Sequence, residues 1–167
     1  MRISIRKRIG RMRFSLVIGG ITDVIGVNST IGEDSHIIMW EFDDPDLTKI
    51  RQELWATQVF HSLPNIHISE SHPGGGYHAY CLHKVSWMKS LHIVSGTRFV
   101  DPRFVTMCAM RNHWTLRRTS KGQGAPQYVE TLESEIPETA KMEDLGSWVK
   151  YEVWNKKRHL IIGERGL

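Results

Sequence analysis

The chain has 167 residues, 40% of them hydrophobic, with 22 Lys and Arg against 18 Asp and Glu. A single domain of that size buries about two-thirds of its unfolded surface and needs no covalent staples. A net charge of +4 favours an anionic partner, two cysteines without paired spacing argue against structural zinc or a disulfide framework, and no run of about eighteen apolar residues is present to span a membrane.

Arg2, Arg6, Lys7, Arg8, Arg11 and Arg13 make residues 1–13 a basic arm, which serves either as a solvated tail or as a contact for nucleic acid. The apolar stretch behind it is too short for a signal peptide. With the sparse cysteines, this sets the expectation of a reduced, intracellular protein, cytoplasmic or nucleoid-associated. Residues 14–18 read as a strand, Gly19-Gly20 as a turn and residues 26–35 as a loop. Residues 36–43 read as a buried strand through Ile37, Ile38, Met39, Trp40 and Phe42, stopped by Pro45. Asp46 is placed to cap a helix whose apolar positions, Leu47, Ile50, Leu54, Trp55 and Val59, recur at helical spacing. Pro64 and Asn65 end that helix.

A hairpin follows, with strands at 65–69 and 77–82 around a glycine-rich turn at 70–76. Residues 85–94 read as a helix broken at Gly96, residues 99–101 as a short strand, and residues 102–110 as a helix or an irregular crossover. Strands are expected at 113–118 and 128–132, on either side of a loop at 120–126. The pattern predicts a last helix over 143–156, with Leu145, Trp148, Val149 and Val153 on one side. Strands and helices alternate without a strict parallel rhythm, which indicates an α+β fold. Residues 14–167 form one domain behind the arm.

Four segments carry chemistry. Glu41 and Asp43 end an apolar strand, and residues two apart share a face. Two carboxylates side by side repel unless a cation lies between them, and hard oxygen donors suit Mg²⁺ or Mn²⁺. A strand running out into a charged turn is the plain alternative. Gly74-Gly75-Gly76 leaves backbone N–H groups open to a phosphate, with His78 just beyond on a strand; a flexible turn with an incidental histidine is the alternative. Asp101, in Phe99-Val100-Asp101-Pro102, is either a helix cap or a third carboxylate of a metal site. Arg117 and Lys121 lie at a strand end and in the loop after it, where such cations neutralise a triphosphate or form a solvated basic edge.

In this order the four segments resemble the catalytic core of the archaeo-eukaryotic primase superfamily, including the primase-polymerases. That family has an acidic strand, a glycine-rich turn leading into a histidine strand, a lone Asp after an apolar pair, and a basic segment. Residues 37–43, Ser71 with Gly75-Gly76-Tyr77-His78, Phe99-Val100-Asp101 and residues 116–121 match these in turn, and the likeness covers about residues 36–125. Glu41 stands where the family usually has Asp, and the chain is short for the family.

The resemblance implies a mixed sheet like that of an RNA-recognition motif with a small associated α/β unit. It implies a template-directed nucleotidyltransferase, a DNA primase or primase-polymerase of viral or plasmid type. Glu41, Asp43 and Asp101 would be the catalytic, metal-holding acids for Mg²⁺ or Mn²⁺. Ser71, His78, Arg117 and Lys121 would bind the nucleotide, and Arg111 and Arg118 the nucleic acid. The implied partners are single-stranded DNA, nucleoside triphosphates and a separate helicase or replication protein. A rolling-circle nicking enzyme would need His-x-His, which the chain lacks. A nucleic-acid-binding module that kept the fold and lost the chemistry is the other reading.

Overall fold

The apolar run Ile37-Ile38-Met39-Trp40 is buried at every position. A strand with one face in water would alternate, so both faces of this one are covered. A computed structural model describes residues 3–9, 12–18, 21–119, 124–145 and 148–154, with side chains from residue 26 to residue 145 where described. In chain order the elements are β1 (Ile3–Ile9), β2 (Met12–Ile18), β3 (Ile21–Asn28), β4 (Thr30–Ile31), β5 (Ser35–Phe42), α1 (Leu47–His61), β6 (Ile66–Glu70), β7 (Tyr77–Val85), α2 (Trp87–Gly96), α3 (Pro102–Arg111), β8 (Thr115–Arg117), β9 (Gln127–Leu132) and β10 (Trp148–Trp154). The fold is α+β.

The principal sheet runs β4-β5-β7-β6-β9. Helix α1 joins β5 to β6, and β7 then turns back to lie between them, a split β-α-β arrangement. β5 and β6 run parallel but are never neighbours. Every strand pair among the described residues is therefore antiparallel, in place of the mixed sheet expected. A second sheet runs β10-β3-β8, and β1 with β2 makes a hairpin.

The helices begin where polar caps allow. Asp46 accepts a hydrogen bond from the Lys49 N–H and Ser86 one from the Lys89 N–H, satisfying donors that have no partner inside the helix. Asp101 does the same for α3, followed at once by Pro102, a residue suited to the first turn. Ser62 and Asn112 close α1 and α3 in the left-handed conformation.

Helices α1 and α2 dock on one face of the sheet. The Trp40 indole donates to Thr97 Oγ1 at the end of α2 (3.1 Å). The buried Gln58 amide of α1 donates to the carbonyls of Pro64 and Leu132 (2.9 and 3.0 Å). Trp114 stacks on Phe104 and leans on Trp87, with its indole N–H on Ser90 Oγ at 2.6 Å. That one side chain ties the entry to β8 to both α2 and α3.

Several expectations change. Residues 3–9 of the basic arm form β1, paired with β2; Arg2, Arg11 and the Gly19-Gly20 turn lie outside the described residues. Part of the loop expected at 26–35 belongs to β3 and β4. The helix expected over 143–156 is instead a 3-10 turn at Met142–Asp144 followed by β10. Its sequence, Trp-Val-Lys-Tyr-Glu-Val-Trp, is rich in β-branched and aromatic residues at a period of two, and this outweighs the helical spacing. Helix α1 turns Ile50, Leu54, Thr57 and Gln58 inward, leaving Trp55 and Val59 each 60% exposed. Gln58 can face the sheet because both hydrogens of its amide nitrogen are bonded there. Among the described residues no helix is long and apolar enough to cross a membrane.

Trp114→Phe should cost about 1–3 kcal/mol, because it keeps the ring contacts but leaves the buried Ser90 hydroxyl without its donor. Trp55→Ala should stay within about 0.5 kcal/mol of the parent. Urea unfolding of both variants measures the contrast.

Candidate active site

Glu41 is the penultimate residue of β5, and its cross-strand partner is His78 on β7. Asp43 follows the strand end. The third acid arrives from far along the chain: the Asp101 N–H donates to the Glu41 carbonyl at 2.8 Å, docking the start of α3 on the end of β5. The segments bearing three carboxylates thus converge at one end of the sheet. Although its side chain is exposed, the Asp43 carboxyl is pushed above its ordinary range, first by the loss of solvent where neighbouring groups crowd it and then by the charges of Asp101 and Glu41, while Arg103 and His72 pull it back.

Asp101 makes the cap. Its Oδ1 accepts from the Arg103 N–H (2.9 Å) and its Oδ2 from the Phe104 N–H (3.3 Å). Each carboxylate oxygen has a second lone pair, so capping and cation binding are compatible for this residue. Among the described residues no group of three His, Cys, Asp or Glu stands close enough to hold a metal ion.

The glycine-rich turn presses against the acidic strand. A Cβ on Gly76 would fall 1.7 Å from the Phe42 carbonyl oxygen, so only glycine fits there. Two of the three glycine N–H groups expected to form an open cradle are already engaged. The Gly74 N–H is taken by Glu70 Oε1 (2.9 Å) and the Gly75 N–H by the His72 carbonyl (2.8 Å). Ser71 is buried, with its hydroxyl 3.0 Å from His72 Nδ1.

Arg117 reaches across from β8. One guanidinium nitrogen donates to the Ser71 carbonyl at 2.7 Å, the other to the carbonyls of Thr119 (3.0 Å) and Gly124 (3.3 Å). Burial lowers its pKa and the nearby Glu41 charge opposes that. His78 is buried, its Nε2 3.8 Å from Glu41 Oε1. Glu41, Asp43, Asp101, His78, Ser71 and Arg117 are therefore brought together.

The other residues named from sequence lie elsewhere. Lys121 falls outside the described residues. Arg118 is exposed just beyond β8, with its charge reaching Tyr80. Arg111 is in the last turn of α3, where its charge acts on Cys108. Two members were missed: His72, inside the turn, and Arg103, two residues after Asp101. The Asp-Pro-Arg step was the available signal for Arg103, since the second residue of a helix lies beside its cap.

Because the folded pKa of Asp43 lies above its ordinary value of 3.8, the folded state binds the extra proton. Stability then falls as pH rises through that window, and the ionised group is a net burden at neutral pH. Asp43→Asn should melt higher than the parent at pH 7, with the difference vanishing below pH 3.8. Thermal melts across pH test this. Comparison with protein-family models, with curated proteins and with solved structures finds no match to this chain.

Proposed function

We propose that the chain is a template-directed nucleotidyltransferase of the primase-polymerase type, joining nucleotides on single-stranded DNA during DNA replication. The observation that carries this reading is the Asp101 N–H bond to the Glu41 carbonyl, which brings two acidic segments 58 positions apart (101 − 43) to one sheet end, beside His78 and Arg117. Glu41, Asp43 and Asp101 would hold Mg²⁺ or Mn²⁺, an all-oxygen donor set suited to hard cations. Their mutual repulsion, felt at Asp43, is what such a cation would relieve. When bound, the ions supply the Lewis-acid charge that stabilises phosphoryl transfer.

The protein's own residues orient the nucleotide. Arg117 is held by three backbone carbonyls, so its positive charge is fixed in place before a triphosphate arrives. Ser71 lies against it and His78 lies beside Glu41, and Lys121 would add a second cation. Arg111 and Arg118 would meet template phosphates. The strand-helix-strand-strand-helix succession from β5 to α2 is the part of the fold that agrees with a sheet of the RNA-recognition type.

One observation favours a non-catalytic nucleic-acid-binding module instead: no three-ligand group is assembled among the described residues. Primer extension on single-stranded DNA with labelled nucleotides separates the two. Asp43→Asn should abolish incorporation and leave oligonucleotide affinity unchanged or slightly higher, since affinity comes mainly from Lys and Arg. Mn²⁺ should raise the melting temperature of the parent more than that of Asp43→Asn. Full activity of Asp43→Asn would leave the binding module as the better reading.

A further inference from the structure

The register carries the candidate site sideways. On one face of the sheet Glu41 pairs with His78, His78 with Ser69, and Ser69 with Tyr128. With neighbouring strands about 4.8 Å apart, three steps put Tyr128 roughly 14 Å from Glu41. His78 is buried, whereas Tyr128, on edge strand β9, is 67% exposed. A large aromatic ring thus stands in the open at the far end of the row.

Tyr128 is held from below. Its hydroxyl lies 3.0 Å from Thr131 Oγ1, which lies 2.9 Å from His67 Nδ1, and His67 Nε2 lies 2.9 Å from Glu138 Oε1. The carboxylate can only accept, so in the neutral imidazole Nε2 carries the hydrogen and Nδ1 accepts from Thr131. Thr131 then accepts from Tyr128. The donors all point one way, and the chain fixes the tyrosine ring. His67 also stacks on Tyr80, with centroids 4.9 Å apart and planes at 29°, and the Arg118 charge reaches Tyr80.

Two of the nearby acids are engaged by other residues. Glu138 is engaged by His67, and Glu130 projects to the other face, where it pairs with Arg51 of α1 at 2.8 Å. Arg117 lies at the Glu41 end of the row, and the Arg118 charge reaches Tyr80 on the middle strand β7. A flat, prearranged ring on the same sheet as a Tyr80 reached by the Arg118 charge suits a base on a polyanionic strand.

We infer that Tyr128 is a stacking platform for a base of single-stranded DNA on the flank of the candidate active site. The inference rests on the nucleic-acid reading above. The strand would pass from the carboxylates toward β9, with its phosphates toward Arg118 and one base on the Tyr128 ring.

Fluorescence anisotropy with a labelled oligo(dT) across a salt series tests it. Tyr128→Ala should weaken binding by about 5- to 150-fold, the range for one lost base–aromatic stack. The salt slope should not change, because no charge is removed. Tyr128→Phe keeps the stacking face but loses the hydroxyl that fixes it, so it should bind more tightly than Tyr128→Ala and no more tightly than the parent. Oligo(dT) carrying 5-iododeoxyuridine should photocrosslink to Tyr128 in the unaltered protein, a readout independent of whether Tyr128→Ala folds. If the parent binds and a folded Tyr128→Ala binds equally well, or the crosslink maps elsewhere, the platform is overturned while the carboxylate site stands. If Tyr128→Ala changes only sedimentation, β9 is a contact between copies and the platform is likewise overturned. If the parent does not bind oligo(dT), both readings fall together.

Discussion

A backbone hydrogen bond between the Asp101 N–H and the Glu41 carbonyl joins the start of α3 to the end of β5. The bond demands an unusual approach. Phe99 adopts φ +66°, a left-handed conformation that costs a bulky residue roughly 1–2 kcal/mol. Helix α1 offsets this by gripping the segment: Glu53 accepts from the Arg98 N–H at 2.9 Å, and the Lys49 ammonium sits 4.0 Å from the Phe99 ring centroid while pairing with Asp44. Strain next to a cluster of acids is the sort of cost that persists only where surrounding structure enforces it. Here the enforcing side chains all come from one helix, and the acid they position also caps the next.

That dual use explains why the site holds its repulsion. Asp101 cannot move away from Asp43 without giving up the first turn of α3. Glu41 cannot move far, because its strand is covered on both faces. Arg117 answers part of the charge, but its own position is set by three carbonyls rather than by the acids.

Much of the central architecture was legible in the chain. Apolar runs bounded by proline and glycine marked β5, β6 and β7, and Asp46 and Asp101 marked helix starts, because these signals are local and strong. The choice between cap and metal ligand at Asp101 was not decidable from sequence, since it depends on a partner 60 positions away (101 − 41). The inward face of α1 was misjudged because a buried glutamine looks polar until its two carbonyl partners are known. β10 was mistaken for a helix because seven residues of mixed aromatic and charged character satisfy both periods, and only pairing with β3 decides between them. His72 gave no signal, as its place beside Asp43 depends on how the turn folds back.

The placement of β7 between β5 and β6 also bears on how the chain finds this arrangement. The β6–β7 hairpin closes a short turn, whereas β5 must reach β7 across α1 and β6, and loop-closure entropy favours the shorter connection first. The Glu41–His78 pairing belongs to the longer closure, and the Asp101 contact to one longer still. Loop-closure entropy therefore favours forming the scaffold before the longest closure brings the Asp101 charge toward Asp43.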